Sequence, residues 1–252
     1  MILVNSVICI VVYIFNVFYI SQPKKELDMD SINVTKLCVK SFNCKGFKPR
    51  NYSYVKKLFE DASILLIQEH WLYNFECDNF SKILINSSYH AKSSMPDNVL
   101  LKGRPYGGTA IIYRNNLNAK ITPLNTSTPR LCAVMMESNQ YNLIIVCVYM
   151  PTDSTENDEE FSDILEEITS LYHQYTEYEV IIGGDFNCDE TRGNDRSALL
   201  RAWRHSLGLM SPALQPDAPP THTYRTHDGR TSLLDYVFSS EGLNQSITEF
   251  AV

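Results

Sequence analysis

The sequence predicts an α/β fold, because short buried strands alternate with amphipathic helices along most of its 252 residues. The clearest strand is the apolar run at 180–182, which two glycines follow directly. The clearest helix covers 157–175, where apolar side chains recur on one face. Asp185 and Asn187 come directly after the strand and its glycines. We therefore expect polar groups at the end of a buried strand, where α/β proteins place ligand sites.

The remaining predicted elements follow the same pattern of short apolar runs and amphipathic stretches. Strands are predicted at 35–42, 63–69, 107–114, 131–137, 143–149 and 232–238. Further helices are predicted at 53–61 and around Leu199, Leu200 and Trp203, and a turn at Asp228-Gly229. Residues 72–105 are polar and irregular and predict no regular element.

The bulk composition limits the classes of function. Hydrophobic residues make up 44% and charged residues 20%, which is ordinary for a globular domain. The net charge is −7, so any contact with nucleic acid must use a local basic surface. The seven cysteines include no Cys-x-x-Cys pair, which favours a reducing compartment over a zinc site or a disulfide framework.

The N-terminal segment, residues 1–28, begins with uncharged and mostly apolar residues at 1–20. Twenty such residues are just enough to span a bilayer, and Lys24 and Lys25 would leave the rest of the chain on the cytosolic side. The alternative is a dispensable extension, with Met29 as a sensible start of the functional domain. Both alternatives place an intracellular domain over residues 35–252, membrane-anchored in the first alternative.

Polar residues stand at or within several predicted strand ends: Asn43, Glu69, Tyr149, Asp185 with Asn187, and Asp235. Each has an ordinary structural explanation, such as a turn-forming Asn, a solvated strand end or a core tyrosine. Together these residue types suit metal-assisted hydrolysis of a phosphoester.

The predicted roles follow from the chemistry of each group. Glu69 is a hard oxygen ligand for Mg²⁺, and Asn43 would supply a further oxygen or hold a ligating water. Asp185 would orient or deprotonate a water that Asn187 helps to fix. Tyr149 would bond a phosphate, and Asp235 would orient a histidine.

A local basic surface is predicted around the second helix and the loop after it. Arg192 and Arg196 belong to a cluster of arginines, and Arg225 follows the segment Pro220-Thr221-His222-Thr223-Tyr224. We predict that these three arginines contact nucleic acid.

Residues 35–252 resemble the endonuclease/exonuclease/phosphatase superfamily, whose fold is DNase I-like. Six segments match its motifs in order: Ser-Phe-Asn-Cys-Lys-Gly (41–46), Gln-Glu-His-Trp (68–71), Tyr-Gly-Gly-Thr-Ala-Ile (106–111), Val-Tyr-Met-Pro (148–151), Gly-Asp-Phe-Asn (184–187) and Ser-Leu-Leu-Asp-Tyr-Val-Phe (232–238). The segments at 220–224 and 234–238 look most like endonuclease domains of non-LTR (LINE-type) retrotransposons. The resemblance implies a two-sheet α/β sandwich flanked by helices, Mg²⁺ or Mn²⁺ at the site, DNA as partner, and the roles given above.

Two departures from the family pattern stand out. Lys45 occupies a position where the family often has an acid or an amide, so we expect this position to be altered or its side chain to be turned away from a metal. The closing Ser-Asp-His motif of the family is absent, which leaves Asp235 without its expected histidine and predicts an incomplete domain lacking its last strand. Three hypotheses stay open: a DNA-nicking phosphodiesterase, the same fold acting on a phospholipid or inositol phosphate, and a non-catalytic remnant or binding module.

Overall fold

The structure, a computed structural model, describes residues 16–20, 37–97, 101, 103–215, 222–244 and 246–251. The strands of this part of the chain are β1 (Asn16–Ile20), β2 (Leu37–Asn43), β3 (Ile64–Gln68), β4 (Ser87–Lys92), β5 (Thr109–Arg114), β6 (Ala119–Leu124), β7 (Leu131–Ser138), β8 (Asn142–Tyr149), β9 (Glu179–Asp185), β10 (Tyr224–Arg225), β11 (Thr231–Ser232), β12 (Asp235–Ser239) and β13 (Ile247–Ala251). Its helices are α1 (Pro49–Phe59), α2 (Asn79–Ile83), α3 (Asp158–Gln174), α4 (Asp195–Ser206) and α5 (Glu241–Asn244).

The strands form two large mixed sheets and one small hairpin. The first sheet has the order β13-β1-β2-β3-β5-β4, and the second has the order β12-β9-β8-β7-β6. Each large sheet contains one parallel pair, β2 with β3 and β8 with β9. In both pairs a helix connects the strands, α1 in the first sheet and α3 in the second. Parallel neighbours end at the same edge, so these connections bring several strand ends together.

Three apolar layers hold the sheets and helices together. The inner faces of the two sheets pack against each other through residues such as Leu66, Val134 and Ile181. The outer face of the second sheet packs under α3 and α4, and that of the first sheet under α1 and α2. The buried strands are apolar along their whole length because both of their faces are covered. This is the predicted two-sheet α/β sandwich flanked by helices.

Local chemistry explains where the longer helices begin. Pro49 starts α1, where its missing N–H costs no hydrogen bond, and the Asn51 side chain accepts from the backbone N–H of Lys48 at 3.0 Å. Asn194 caps α4 by accepting from the Ser197 N–H at 2.9 Å. Helix α3 carries three acids in its first turn, and their negative charges interact favourably with the positive end of the helix dipole.

The helix predictions match in type and differ at the boundaries. Helix α1 begins four residues earlier than the predicted start at residue 53 because Pro49 initiates it. The predicted 157–175 helix is α3, preceded by a 3₁₀ turn at Thr155–Asn157.

The expectation of no regular element in 72–105 is wrong. This part of the chain contains a 3₁₀ turn at Asn74–Glu76, α2 and β4. Strand β6 was also not predicted, and the predicted strand at 232–238 is divided between β11 and β12. Strands β4 and β6 lie at sheet edges, where half-exposed strands lack the continuous apolar run that predicts a strand.

The N-terminal segment contributes to the first sheet. Strand β1 pairs antiparallel with β2 on one side and with β13 on the other. Residues 16–20 therefore form a strand and not the end of a membrane-spanning helix, so the anchor prediction is wrong for these five residues. No helix in the described part of the chain is both long and apolar enough to cross a bilayer. The rest of segment 1–28 lies outside the described residues.

Two glycines of β9 let neighbouring groups approach the strand closely. A Cβ added to Gly183 would lie 2.6 Å from Cδ1 of Leu66 in the opposite sheet. A Cβ on Gly184, whose φ is +152°, would lie 1.9 Å from the backbone oxygen of Val148 on β8. Side chains at these positions would therefore push β9 away from its neighbours directly before Asp185.

We predict that Gly184→Ala lowers the free energy of unfolding by about 3 kcal/mol, because the new methyl group meets backbone that cannot move cheaply. Urea denaturation followed by circular dichroism measures this change. The control is Gly193→Ala, whose added Cβ has no atom within 4 Å and should change stability little. Equal stabilities of the two variants would contradict the close approach of β8 and β9.

Candidate active site

Three predicted site residues lie side by side on neighbouring strands of the second sheet. Asp185 is paired with Asp235 on β12 and with Tyr149 on β8. Residues that are paired in register project to the same face of a sheet. The sheet therefore presents two carboxyl groups and one phenol in a single row across the ends of three neighbouring strands.

Asn43 joins the two sheets at this edge. Its Nδ2 donates to Oε1 of Glu69 at 2.8 Å and to Oδ2 of Asp185 at 2.9 Å. Its Oδ1 accepts from the backbone N–H of Lys45 at 3.2 Å. Because its amino group lies between the two acids, Asn43 positions Glu69 and Asp185. Its contact with a metal or with a ligating water stays a prediction.

Glu69 is held on several sides. Besides Asn43, Nε1 of Trp71 donates to its Oε2 at 3.2 Å, and Tyr149 forms a side-chain hydrogen bond with it. Glu69 and Trp71 both have positive φ angles, 51° and 58°, which are uncommon for residues with side chains. The chain thus turns sharply after β3 and directs the carboxylate into the site. The sequence pattern identified Glu69 but not Trp71, although both belong to Gln-Glu-His-Trp.

Burial raises the pKa of Asp185 to about 6, and the negative charge of Glu69 adds to this effect. Hydrogen bonds from Asn187 N–H and Asn43 oppose the rise without cancelling it. Burial likewise raises the pKa of Asp235 well above its usual range, with the charge of Asp185 as the next cause. The pKa of the Tyr149 phenol is also raised, first by burial and then by Glu69 and Asp185, so it stays protonated at neutral pH.

Asn187 is fixed relative to Asp185 by an Asx turn. Its backbone N–H donates to Oδ1 of Asp185 at 2.9 Å, and its φ is +46°. Its Nδ2 donates to the backbone oxygen of Met150 at 2.8 Å. This leaves Oδ1 of Asn187 as the side-chain atom that can accept a hydrogen bond from a bound group.

Asp235 has a hydroxyl partner where a histidine was expected. Thr223 Oγ1 accepts from the backbone N–H groups of Leu234 and Asp235 at 2.8 and 2.9 Å, and the Thr223 side chain also bonds the Asp235 carboxylate. Thr223 is buried. Thr223 belongs to the segment 220–224 that resembles the family, but a threonine alone carries no chemical indication of a site.

These residues line one cleft of about 600 Å³. Its other wall comes from the β10–β11 hairpin and the loop after β9, which contribute cationic and aromatic groups, namely Arg192, Tyr224, Arg225, His227 and Arg230. Arg192 donates to Ser232 Oγ at 2.5 Å and remains half-exposed, and Arg225 is exposed. The contact of Arg192 and Arg225 with nucleic acid stays a prediction.

Arg196 does not belong to this basic wall. Its guanidinium is buried and bonds Asp158 and the backbone oxygens of Pro151, Thr152 and Ser154. The prediction that Arg196 contacts nucleic acid is therefore wrong, because its donors already hold α3, α4 and the loop after β8 together. The sequence places Arg196 beside the other arginines but does not reveal which face of α4 is buried.

Of the two alternatives for Lys45, that its side chain turns away is wrong, which leaves the alternative that this position is altered relative to the family. Lys45 lines the cleft, and its Nζ lies 5.9 Å from the centroid of the Tyr224 ring. Its positive charge opposes the rise in the pKa of both Asp185 and Asp235. A cation thus stands in the cleft with the acids.

The donor set suits a hard divalent cation, since Glu69, Asp185 and Asp235 offer only oxygen donors to one cleft. Within the residues that the structure describes, no three His, Cys, Asp or Glu side chains are gathered into a ready-made metal cage. The amino group of Asn43 lies between two of the acids. The chemistry of the oxygens fits Mg²⁺ or Mn²⁺.

The sequence model of the Endonuclease/Exonuclease/phosphatase family matches residues 41–248, and the chain belongs to this family. The match contains every site residue discussed above. Proteins of this family act on DNA and on other phosphate-bearing substrates. No curated protein matches the chain.

Solved structures share the fold at low sequence identity. The endonuclease domain of TRAS1, a telomere-specific non-LTR retrotransposon, has a TM-score of 0.60 at 18% identity, covering 81% of this chain and 84% of that one. AP endonuclease LMAP from Leishmania major has a TM-score of 0.63 at 16% identity, and the match covers 82% of this chain and 80% of that one. Mannosyl-6-phosphatase Bt3783 from Bacteroides thetaiotaomicron has a TM-score of 0.57 at 16% identity, and the match covers 81% of this chain and 85% of that one. These likenesses confirm the DNase I-like fold.

We predict that Arg196→Leu lowers the free energy of unfolding by about 3 kcal/mol, because it leaves Asp158 and buried backbone oxygens without their donor. The measurement is urea denaturation. Arg192→Leu is the control, since its half-exposed side chain should contribute little to stability. A fully stable Arg196→Leu variant would contradict the structural role given to Arg196.

We predict that Asp185→Asn stabilises the metal-free protein at pH 8 by on the order of 1 kcal/mol. Because the folded-state pKa of Asp185 is raised to about 6, the folded state binds the proton more tightly than the unfolded state does. The stabilisation that comes from protonating Asp185 in the folded state is therefore present at low pH and is lost as pH rises from about 4 to 6.

Urea denaturation in EDTA between about pH 4.5 and 8 tests this prediction. The advantage of Asp185→Asn over the wild type should shrink as pH falls. Asp163→Asn, at an exposed position of α3, should show no such trend. A pH-independent difference between Asp185→Asn and the wild type would contradict the raised pKa.

Proposed function

We propose that the chain is a divalent-metal-dependent phosphodiesterase that cleaves a strand of DNA. The observation that carries this proposal is the group of Glu69, Asp185 and Asp235 in a single cleft, with Asn43 bridging the two sheets beneath them. Such a concentration of oxygen donors beside a protonated phenol suits attack of water on a phosphate.

The opposite wall of the cleft supports a polyanionic substrate. Although the whole chain has a net charge of −7, Arg192, Arg225 and Arg230 line the same cleft as the acids. Tyr224 adds an exposed aromatic face beside them. Cationic groups with an interleaved aromatic side chain are suited to a sugar–phosphate backbone and its bases.

Each residue has a role that its contacts allow. Asp185, with a pKa of about 6, is largely ionised at neutral pH and is suited to accept a proton from water. Asn187 offers Oδ1 to orient that water, because its Nδ2 is bonded to Met150. The Tyr149 phenol would donate to a phosphate oxygen.

Two further residues act on the acidic side of the cleft, Glu69 as a metal ligand and Thr223 as a positioning residue. Glu69 would hold Mg²⁺ or Mn²⁺, which when bound would supply charge neutralisation at the phosphate. Thr223 keeps Asp235 in place by its hydrogen bonds to the backbone and to the carboxylate.

We predict that the protein converts supercoiled plasmid to the open-circular form in the presence of Mg²⁺ or Mn²⁺. Glu69→Gln and Asp185→Asn should each lower the nicking rate by on the order of 10²–10⁴. Both substitutions keep the size of the side chain and remove its charge. The measurement is the initial nicking rate on agarose gels.

Asp163→Asn is the matched control and should nick at the wild-type rate, because its side chain is exposed on α3. Absence of nicking by the wild-type protein with either metal would contradict the proposal and favour a non-catalytic binding module. Competition with inositol phosphates and with phospholipid vesicles tests the other substrate class. Stronger inhibition by either than by duplex DNA would shift the assignment to that class.

A further inference from the structure

Lys45 lies in the cleft without a direct ionic partner. Its Nζ is 5.9 Å from the Tyr224 ring centroid, a loose cation–π contact. No ion pair within 4.0 Å joins it to a carboxylate among the described residues. A partly buried ammonium that faces a cleft and has only this loose contact is available to an anionic ligand.

The acids around Lys45 define its electrostatic setting. Burial is the main reason why the pKa of Asp185 and of Asp235 is raised, and the charge of Lys45 opposes the rise at both residues. Lys45, Asp185 and Asp235 line the same cleft, so the charge of Lys45 acts on both aspartates. An added divalent cation would be attracted by the same acids and repelled by this ammonium.

The backbone holds Lys45 at this position. Its φ is +45°, and its N–H donates to Oδ1 of Asn43, the residue that bridges Glu69 and Asp185. Gly46 follows with φ +97°. A lysine in the left-handed region is less favourable there than glycine or asparagine would be. The turn thus anchors the backbone of Lys45 to the same amide that organises the acids.

We propose that Lys45 is a substrate-binding residue whose ammonium binds a phosphate of DNA in the cleft, while the same charge weakens divalent-metal binding by the acidic cluster. This inference rests on the proposed function for its substrate. It makes Lys45 a fixed cation that takes over part of the charge neutralisation from the metal. The contact with Tyr224 would hold the ammonium while the cleft is empty of DNA.

The experiment uses the full chain and two binding measurements that need no turnover. The first is fluorescence anisotropy of a fluorescein-labelled 12-base-pair duplex in EDTA, measured over a range of KCl concentrations. The second is electron paramagnetic resonance of free Mn²⁺ during titration with protein, without DNA. The variants are Lys45→Met, which removes the charge, and Lys45→Arg, which keeps it. Lys120→Met removes a surface charge that is paired with Glu137 and serves as the control.

The expected results have opposite signs in the two measurements. Lys45→Met should weaken duplex binding about threefold to tenfold and reduce the slope of log Kd against log salt by about 1. The same variant should bind Mn²⁺ about fivefold more tightly or better, because a repulsive charge is gone. Lys45→Arg and Lys120→Met should both resemble the wild type.

An unchanged salt slope in Lys45→Met would overturn phosphate binding by Lys45. Unchanged or weaker Mn²⁺ binding by this variant would overturn the repulsion. If the wild-type chain binds no duplex at all, the DNA assignment itself fails, and the Mn²⁺ titration still decides the effect of the Lys45 charge. Loss of folding in Lys45→Met would leave Lys45→Arg decisive, since a changed slope in a charge-conserving variant contradicts the proposal.

Discussion

The hydrogen bonds of Asn43 to Glu69 and Asp185 are the interaction on which the rest of the site depends. They join the end of one sheet to the end of the other and hold two like-charged groups at a common donor. The sheets can approach closely there because Gly183 leaves room for Leu66 of the opposite sheet. The site is thus a consequence of how tightly the two sheets pack beside it.

This packing has an electrostatic cost. Asp185 and Asp235 are adjacent on paired strands and partly or fully removed from water, and burial is the main cause of the raised pKa of both. Natural folds accept such destabilising clusters where they serve function. The cations of the cleft, Lys45 among them, offset part of the repulsion while the hydrogen bonds from Asn43, Asn187 and Thr223 keep the acids oriented.

Much of the fold could be predicted because strands buried on both faces appear as unbroken apolar runs. Strand β3 is wholly buried and was readily found, whereas the edge strands β4 and β6 contain polar residues, and β6 contains Pro123. Residues 16–20 fit a membrane segment as well as a strand by sequence, because a buried strand and a short membrane span are both simply apolar. Only partners elsewhere in the chain distinguish the two.

The sequence by itself determined the family, the sandwich of two sheets, and the acids, amides and phenol that meet in the cleft. Their position at strand ends follows from local periodicity, which needs no knowledge of distant contacts. The tertiary structure alone decided the direction of each side chain: Arg196 inward to the helix junction, Lys45 into the cleft, and Asn43 with its amino group towards the acids. Side-chain direction depends on contacts between residues far apart in the chain, and a linear pattern does not record them.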